Sequence, residues 1–351
     1  MNEEGLALKR ILLREKRRFA ELTQDRQVDR DPEYWKKFGP SGREVGIRDV
    51  QYHLDFLTSA VIMKRPELFD DYAVWVKELF DRLGFPEDTV EKTLWCMREV
   101  LEENLSEALG KLTGRYIDHA AEAVASHETE EESFLEGEGA MAKLRSLYLE
   151  SLLQGNREAA NTLVMTAADE GVDIADIYLQ VLQPAQYEVG RLWQTGAVSV
   201  AKEHFCTAVT QEVMARLYPR IIPYKRTGKK VLIACVSGEL HQIGSRMVAD
   251  ILEIHGWDSI YIGANTPTRS ILQAVQEFEP DVVGLSATLS VHLPVTEEII
   301  RNIRETEDLK RTKILVGGHA FASSPDIWRD MGADVYSADA KEAVKILSET
   351  A

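Results

Sequence analysis

The last third of the chain alternates short apolar runs with amphipathic helical patterns, and no other feature constrains the fold as much. Val231-Leu-Ile-Ala-Cys-Val236 is an uninterrupted apolar run, as expected of a short strand covered on both faces. Four further strands are predicted at Ser259 to Ile262, Asp281 to Leu285, Lys313 to Val316 and Asp334 to Ser337, with helices between them and a last helix near Ala340 to Ser348. Parallel strands joined by short helical crossovers make a doubly wound α/β sheet of five strands over 230–351. Ligands of such sheets lie beyond the carboxyl ends of the strands. The loops 237–244, 263–267, 286–293 and 317–323 are therefore the candidate site, and three of them are rich in small residues that let backbone approach a ligand closely.

The rest of the chain reads as all-α. Over 141–222 the helical pattern is broken at Gly155-Asn156, Gly171-Val172-Asp173 and Thr195-Gly196, which predicts a four-helix bundle. A polar link with Pro and Gly, 223–230, separates it from the first strand. On its other side the acidic run from Ser126 to Ser133 and the glycines Gly137 and Gly139 mark a linker over 126–140. Residues 1–125 form a further helical domain. Leu54, Leu57, Val61 and Ile62 share one helical face, and Tyr72, Val76, Leu79 and Phe80 share another; Pro66 marks a start and Gly84-Phe85-Pro86 a stop. The basic run from Arg10 to Arg18 is read as the polar face of an amphipathic helix.

A formal charge of −17 argues against direct nucleic-acid binding, which needs a basic surface to displace counterions. Cys96, Cys206 and Cys235 show no metal-binding or disulfide spacing and sit in apolar stretches, so buried free thiols are expected. The start does not resemble a signal peptide, and no apolar run approaches the roughly 18–20 residues a membrane span requires. The expectation is a soluble, cytoplasmic protein.

The loop after the first strand, Ser237-Gly-Glu-Leu-His-Gln-Ile-Gly244, carries the most specific chemistry. An imidazole that ligates a metal usually donates its other ring proton to a carboxylate, and Glu239 stands two residues before His241. Glu239-Leu240-His241-Gln-Ile-Gly244 resembles the Asp-x-His-x-x-Gly signature of cobalamin-binding domains, which have a flavodoxin-like sheet. Ser286-Ala-Thr-Leu289 and Gly317-Gly318 resemble their serine loop and paired glycines. The resemblance implies His241 as the lower cobalt ligand, and Ser286, Thr288, Leu289, Gly317 and Gly318 along the channel that takes the displaced nucleotide tail; Leu240 and Gly244 belong to the same loop. One departure is the glutamate where the family has aspartate. Its extra methylene leads us to expect a longer or water-bridged contact with His241, and weaker ligation.

Within the bundle, Trp193 is followed ten and eleven residues later by Glu203 and His204, across the Gly196 turn. This Trp-x9-Glu-His pattern resembles the cap of the light-sensing B12 repressors. The resemblance implies an upper adenosyl group packed on Trp193 and bonded to Glu203, which suits a flat base and ribose hydroxyls. Gln194 stands where those repressors have an upper histidine ligand, which leaves that site to His204, to water or to nothing.

No helix-turn-helix precedes the bundle. Instead 48–57 and 68–75 resemble the helical region of photocobilins, photoreceptors that pair cobalamin with biliverdin. That resemblance implies a non-covalent bilin near Arg48, Tyr52 and His53, since no cysteine adjoins them. Taken together, the expectation is a non-enzymatic photoreceptor in which light cleaves adenosylcobalamin and changes domain arrangement or assembly. Its partners would be a second copy, with a light-dependent dimer favoured, and an unidentified downstream protein. The alternative is the corrinoid subunit of a methyltransferase system, which carries a methyl group between enzymes.

Overall fold

The computed structural model describes residues 3–127, 133–221 and 225–349, so most of the acidic run and Pro223 of the polar link lie outside the described residues. The chain divides into two compact units. The first comprises Met1–Thr129 together with Leu289–Glu297 and Ala320–Pro325; the second comprises Glu130–Thr288, Glu298–His319 and Asp326–Ala351.

In the first unit the predicted periodicities become six helices: α1 (Glu3–Arg30), α2 (Pro32–Lys36), α3 (Gly39–Met63), α4 (Glu67–Arg82), α5 (Thr89–Asn104) and α6 (Glu107–Ser126). Their ends follow local chemistry. Asp31 caps α2 by accepting from Tyr34 N, Ser106 caps α6, and Pro66 stands at the N-cap of α4. The apolar stripe of α1, Leu8, Leu12 and Phe19, is buried, as are Leu54, Leu57, Val61 and Ile62 of α3. Full burial of each such side chain contributes roughly 1.5–3 kcal/mol. The basic run is the polar face of α1, where Lys16 pairs with Asp55 and Arg17 with Glu21. Within the same unit the buried Ser59 donates to Ser290 O at 2.6 Å and Ser324 to Glu67 Oε1 at 2.8 Å.

The second unit begins with the bundle: α7 (Ala140–Leu153), α8 (Arg157–Asp169), α9 (Ile174–Ile177), α10 (Gln183–Gln194) and α11 (Val200–Leu217). The predicted third helix is continuous from Ile174 to Gln194, with α9 joined to α10 by a π-helical turn, Tyr178–Leu182. Its cause is Pro184, which has no N–H for Gln180 O, the carbonyl four residues back. Asn156, Asp173 and Ser199 cap the starts that the glycine interruptions had marked.

The sheet follows with β1 (Lys230–Cys235), α12 (Ile243–Ile254), β2 (Asp258–Tyr261), α13 (Thr268–Phe278), β3 (Val282–Ser286), α14 (Leu293–Glu305), β4 (Lys313–Gly317), α15 (Ile327–Asp330), β5 (Val335–Ser337) and α16 (Ala340–Glu349). All pairings are parallel and the order is β2-β1-β3-β4-β5, so the chain reverses direction between β1 and β3. The strands lie within one residue of the predicted positions. Bundle and sheet share one core in which Tyr148, Tyr178, Val213 and Leu217 pack with Met247, Leu252 and Leu347. The three cysteines are buried and free. Among the described residues no helix is long and apolar enough to cross a membrane.

Candidate cofactor site

The loop after β1 is stitched to the loop after β2. Gly238, at φ 87°, donates its N–H to Asn265 Oδ1, and Asn265 N donates to Glu239 O; both bonds are 2.8 Å. This turn folds the Glu239 side chain inward, and it is fully buried. One carboxylate oxygen accepts from His241 N at 2.8 Å and faces His241 Nδ1 at 2.6 Å; the other accepts from Thr288 N at 2.5 Å. The expected longer or water-bridged contact is not found. The extra methylene lets the carboxylate reach across to β3's loop while still closing on the imidazole.

The His241 side chain is 58% exposed although its partner is 0% exposed. With Nδ1 directed at a buried carboxylate, the ring proton is assigned there, and Nε2 presents its lone pair outward as a metal ligand must. The hydrogen bond to Glu239 raises the imidazole pKa above its ordinary value, against the opposing effect of burial, and the charges of Glu239 and Glu203 add to the rise.

Beside the ring there is room. A Cβ placed on Gly244, in the first turn of α12, would meet no atom within 4 Å. Leu240, the residue before His241, stands 69% exposed and can meet the apolar edge of a ligand; Leu289, 38% exposed, belongs to the first unit. Along the expected tail channel, Ala287 N donates to Gly317 O at 3.0 Å, which brings Ser286 and Thr288 beside Gly317-Gly318. Gly318 has φ 103°, and a Cβ there would lie 2.3 Å from Ala287 O, so only glycine allows the two loops to close this tightly. The donor set therefore fits a corrinoid: a clamped imidazole, open space at Gly244 and an exposed leucine beside the ligand. Thr288 was expected along the tail channel and not as the second holder of Glu239, and Asn265, the brace under it, was not singled out from sequence at all. Their roles depend on contacts 49 and 26 positions away, which no local pattern reports.

In the cap, Trp193 is partly buried near the end of α10, and Glu203 and His204 lie in the first turn of α11. Glu203 accepts from Thr207 Oγ1 at 2.9 Å and its other oxygen is bonded to His204 Nδ1. The His204 ring is 75% exposed.

The three residues expected near a bilin all lie on α3 but diverge. Arg48 and Tyr52, one turn apart, are exposed. His53 is 6% exposed and its Nδ1 lies 2.8 Å from the Tyr72 hydroxyl; burial lowers its pKa to about 4, so it is neutral. Tyr72 in turn stacks on Phe56 with ring centroids 3.7 Å apart.

Comparison with known proteins agrees with this geometry. Two family models, both described as B12 binding domain, match residues 144–218 and 229–347, and the phycobilisome protein model matches residues 2–124. A corrinoid protein of Desulfitobacterium hafniense is 23% identical over 205 residues, covering 57% of this chain and 94% of that protein. Dimethylamine corrinoid protein 1 of Methanosarcina acetivorans is 28% identical over 179 residues, 49% of this chain and 81% of that one. The structure of the Methanosarcina barkeri monomethylamine corrinoid protein aligns with a TM-score of 0.54 at 19% identity, covering 60% of this chain and all of that one, which establishes likeness of fold. B12-binding domains are thus present over both the cap and the sheet, and together with the clamped His241 they support a cobalamin-binding protein.

Proposed function

We propose that this chain is a light receptor that uses adenosylcobalamin, with a bilin such as biliverdin as a second pigment in the N-terminal helices. The observation that carries the reading is the cap: Trp193 near the end of α10 and Glu203 in the first turn of α11 stand on either side of the Gly196 turn, with Glu203 held by Thr207 Oγ1 at 2.9 Å. Bound adenosylcobalamin supplies a cobalt–carbon bond that light cleaves. The chain's own part is to hold His241 Nε2 toward the metal, to offer the Trp193 indole as a flat surface, and to present Glu203 to hydroxyl donors. A methyl group would need neither of the last two. The phycobilisome-protein match over 2–124 supports placing a bilin in the first helices. The reading includes a cytoplasmic dimer whose assembly changes with light and a downstream protein partner. The test is to load adenosylcobalamin in the dark and record visible spectra and mass before and after illumination, in the native chain and in Trp193→Ala. The native chain is expected to lose the adenosyl group on illumination, and the variant to retain adenosylcobalamin less well. Identical spectra in dark and light would refute the reading. Biliverdin added separately is expected to give a far-red band.

A second reading is a corrinoid methyl carrier. The curated relatives, named as dimethylamine corrinoid proteins, support it better than they support a photoreceptor. Rapid demethylation of bound methylcobalamin by a partner thiol or folate, with no effect of light, would decide for it.

A further inference from the structure

Residues 133–137 precede α7 and look in sequence like the end of a polar linker. In the structure they are fastened to the bundle by two charged side chains that are themselves almost fully buried. Arg145, 8% exposed, donates Nη2 to Leu135 O at 2.7 Å and to Glu136 O at 2.5 Å. Its Nη1 donates to Gln180 O at 3.4 Å, the carbonyl that Pro184 leaves without its helical N–H. Glu188, 3% exposed and on α10, accepts from Phe134 N at 3.1 Å and from Ser133 Oγ at 3.4 Å, and is held in turn by Arg191 at 2.6 Å. The Phe134 ring lies on Tyr187 with centroids 5.4 Å apart. Burying a guanidinium and a carboxylate is costly unless they are hydrogen-bonded, and here the strap's backbone supplies both acceptors of Arg145 Nη2 and a donor to Glu188, while Arg145 Nε is left without a partner.

The seat of this segment is mechanically tied to the candidate site. Glu188 stands little more than one turn before Trp193 on α10. Tyr178, in the same π-turn as Gln180, donates its hydroxyl to buried Asp250 Oδ2 at 2.9 Å on α12, the helix that opens two residues after His241. The π-turn therefore touches the strap through Gln180 and the His241 helix through Tyr178. Irregular turns of this kind rearrange at lower cost than continuous α-helix.

We propose that residues 133–137 are a strap whose attachment to Arg145 and Glu188 reports the state of the cobalamin pocket, released when α10 and the π-turn shift on loss of the upper ligand. The coupling rests on the cobalamin reading above; the seat of the strap does not.

Amide hydrogen exchange of the full chain, read by mass spectrometry, tests both parts. In the pigment-free protein the amides of 134–137 are expected to be protected. Arg145→Ala and Glu188→Gln should each speed their exchange about tenfold, with β1 and β3 amides unchanged. Arg145→Lys should act in the same direction, because one ammonium lacks the planar fork that serves three carbonyls. In protein loaded with adenosylcobalamin, illumination should speed strap exchange about tenfold. Equal exchange in the native chain and both neutral variants would overturn the strap. Retained and photolysed pigment with unchanged strap exchange would overturn the coupling alone. A chain that retains no pigment would overturn the functional reading and the coupling with it, while the pigment-free comparison still decides the strap.

Discussion

Replacing Glu239 by Gln tests the clamp on which the candidate site depends. The buried carboxylate faces three donors: His241 N at 2.8 Å, His241 Nδ1 at 2.6 Å and Thr288 N at 2.5 Å. A glutamine has one acceptor oxygen. If that oxygen keeps the two bonds to His241, the amide NH2 is forced against the Thr288 N–H. One charge-assisted bond, worth about 1.5–3 kcal/mol, is then lost and a buried donor is left unpaired. The expected loss of stability is about 2–4 kcal/mol, measured by urea unfolding. The imidazole also loses the partner that fixes its tautomer and raises its basicity. Changes of this kind beside metal ligands typically cost 10- to 100-fold in metal affinity. Equilibrium dialysis with hydroxocobalamin should show that loss, and visible spectra should show a smaller histidine-ligated fraction. Glu239→Asp keeps the charge but cannot span both loops, so it should retain most of the ligation while losing the Thr288 bond. His241→Ala removes the ligand and also the 2.6 Å bond from Nδ1 to the buried Glu239 carboxylate, so it should abolish histidine ligation and cost about 1.5–3 kcal/mol of stability as well. If Glu239→Gln binds as tightly as the native chain with the same spectrum, the clamp has no part in ligation and the assignment of Nδ1 is wrong.

Three further outcomes follow from buried groups elsewhere. His53 has a folded-state pKa of about 4 against 6.5 when unfolded, so the unfolded chain takes up the proton first. The first unit should therefore lose roughly 3 kcal/mol as pH falls from 6.5 to 4, and His53→Gln should flatten that slope in urea titrations. Asp250 is shifted the other way, to about 6, because burial opposes its charge despite the bond from Tyr178. The stability of its protonated form is full below 3.8 and lost as pH rises through 6. Asp250→Asn should accordingly gain up to about 3 kcal/mol over the native chain at pH 8 and nothing at pH 4. Gly318→Ala combines a φ of 103° with a Cβ 2.3 Å from Ala287 O, and should cost more than about 2 kcal/mol in unfolding and loosen cobalamin retention in gel filtration.

What the amino-acid order determined is the periodic and the local. Uninterrupted apolar runs of strand length mark β1, β3 and β4 because a parallel strand is covered on both faces, and glycine, proline and capping residues mark the helix ends because their backbone preferences act within a turn. The pairing of Glu239 with His241 was legible for the same reason: the two lie two positions apart in one loop. Tertiary structure decided whatever depends on distant backbone meeting in space. It alone shows Thr288 holding the second oxygen of Glu239, Ala287 O demanding a glycine at 318, and His53 turning inward to Tyr72 while Arg48 and Tyr52 face out. It also turns 133–137 from an acidic linker into a strap, since Arg145 and Glu188 come from helices whose sequence patterns carry no mark of what they hold. Propensity and period are properties of neighbouring residues. Desolvation and hydrogen-bond satisfaction are properties of a packed interior, and they are settled only when remote segments close over one another.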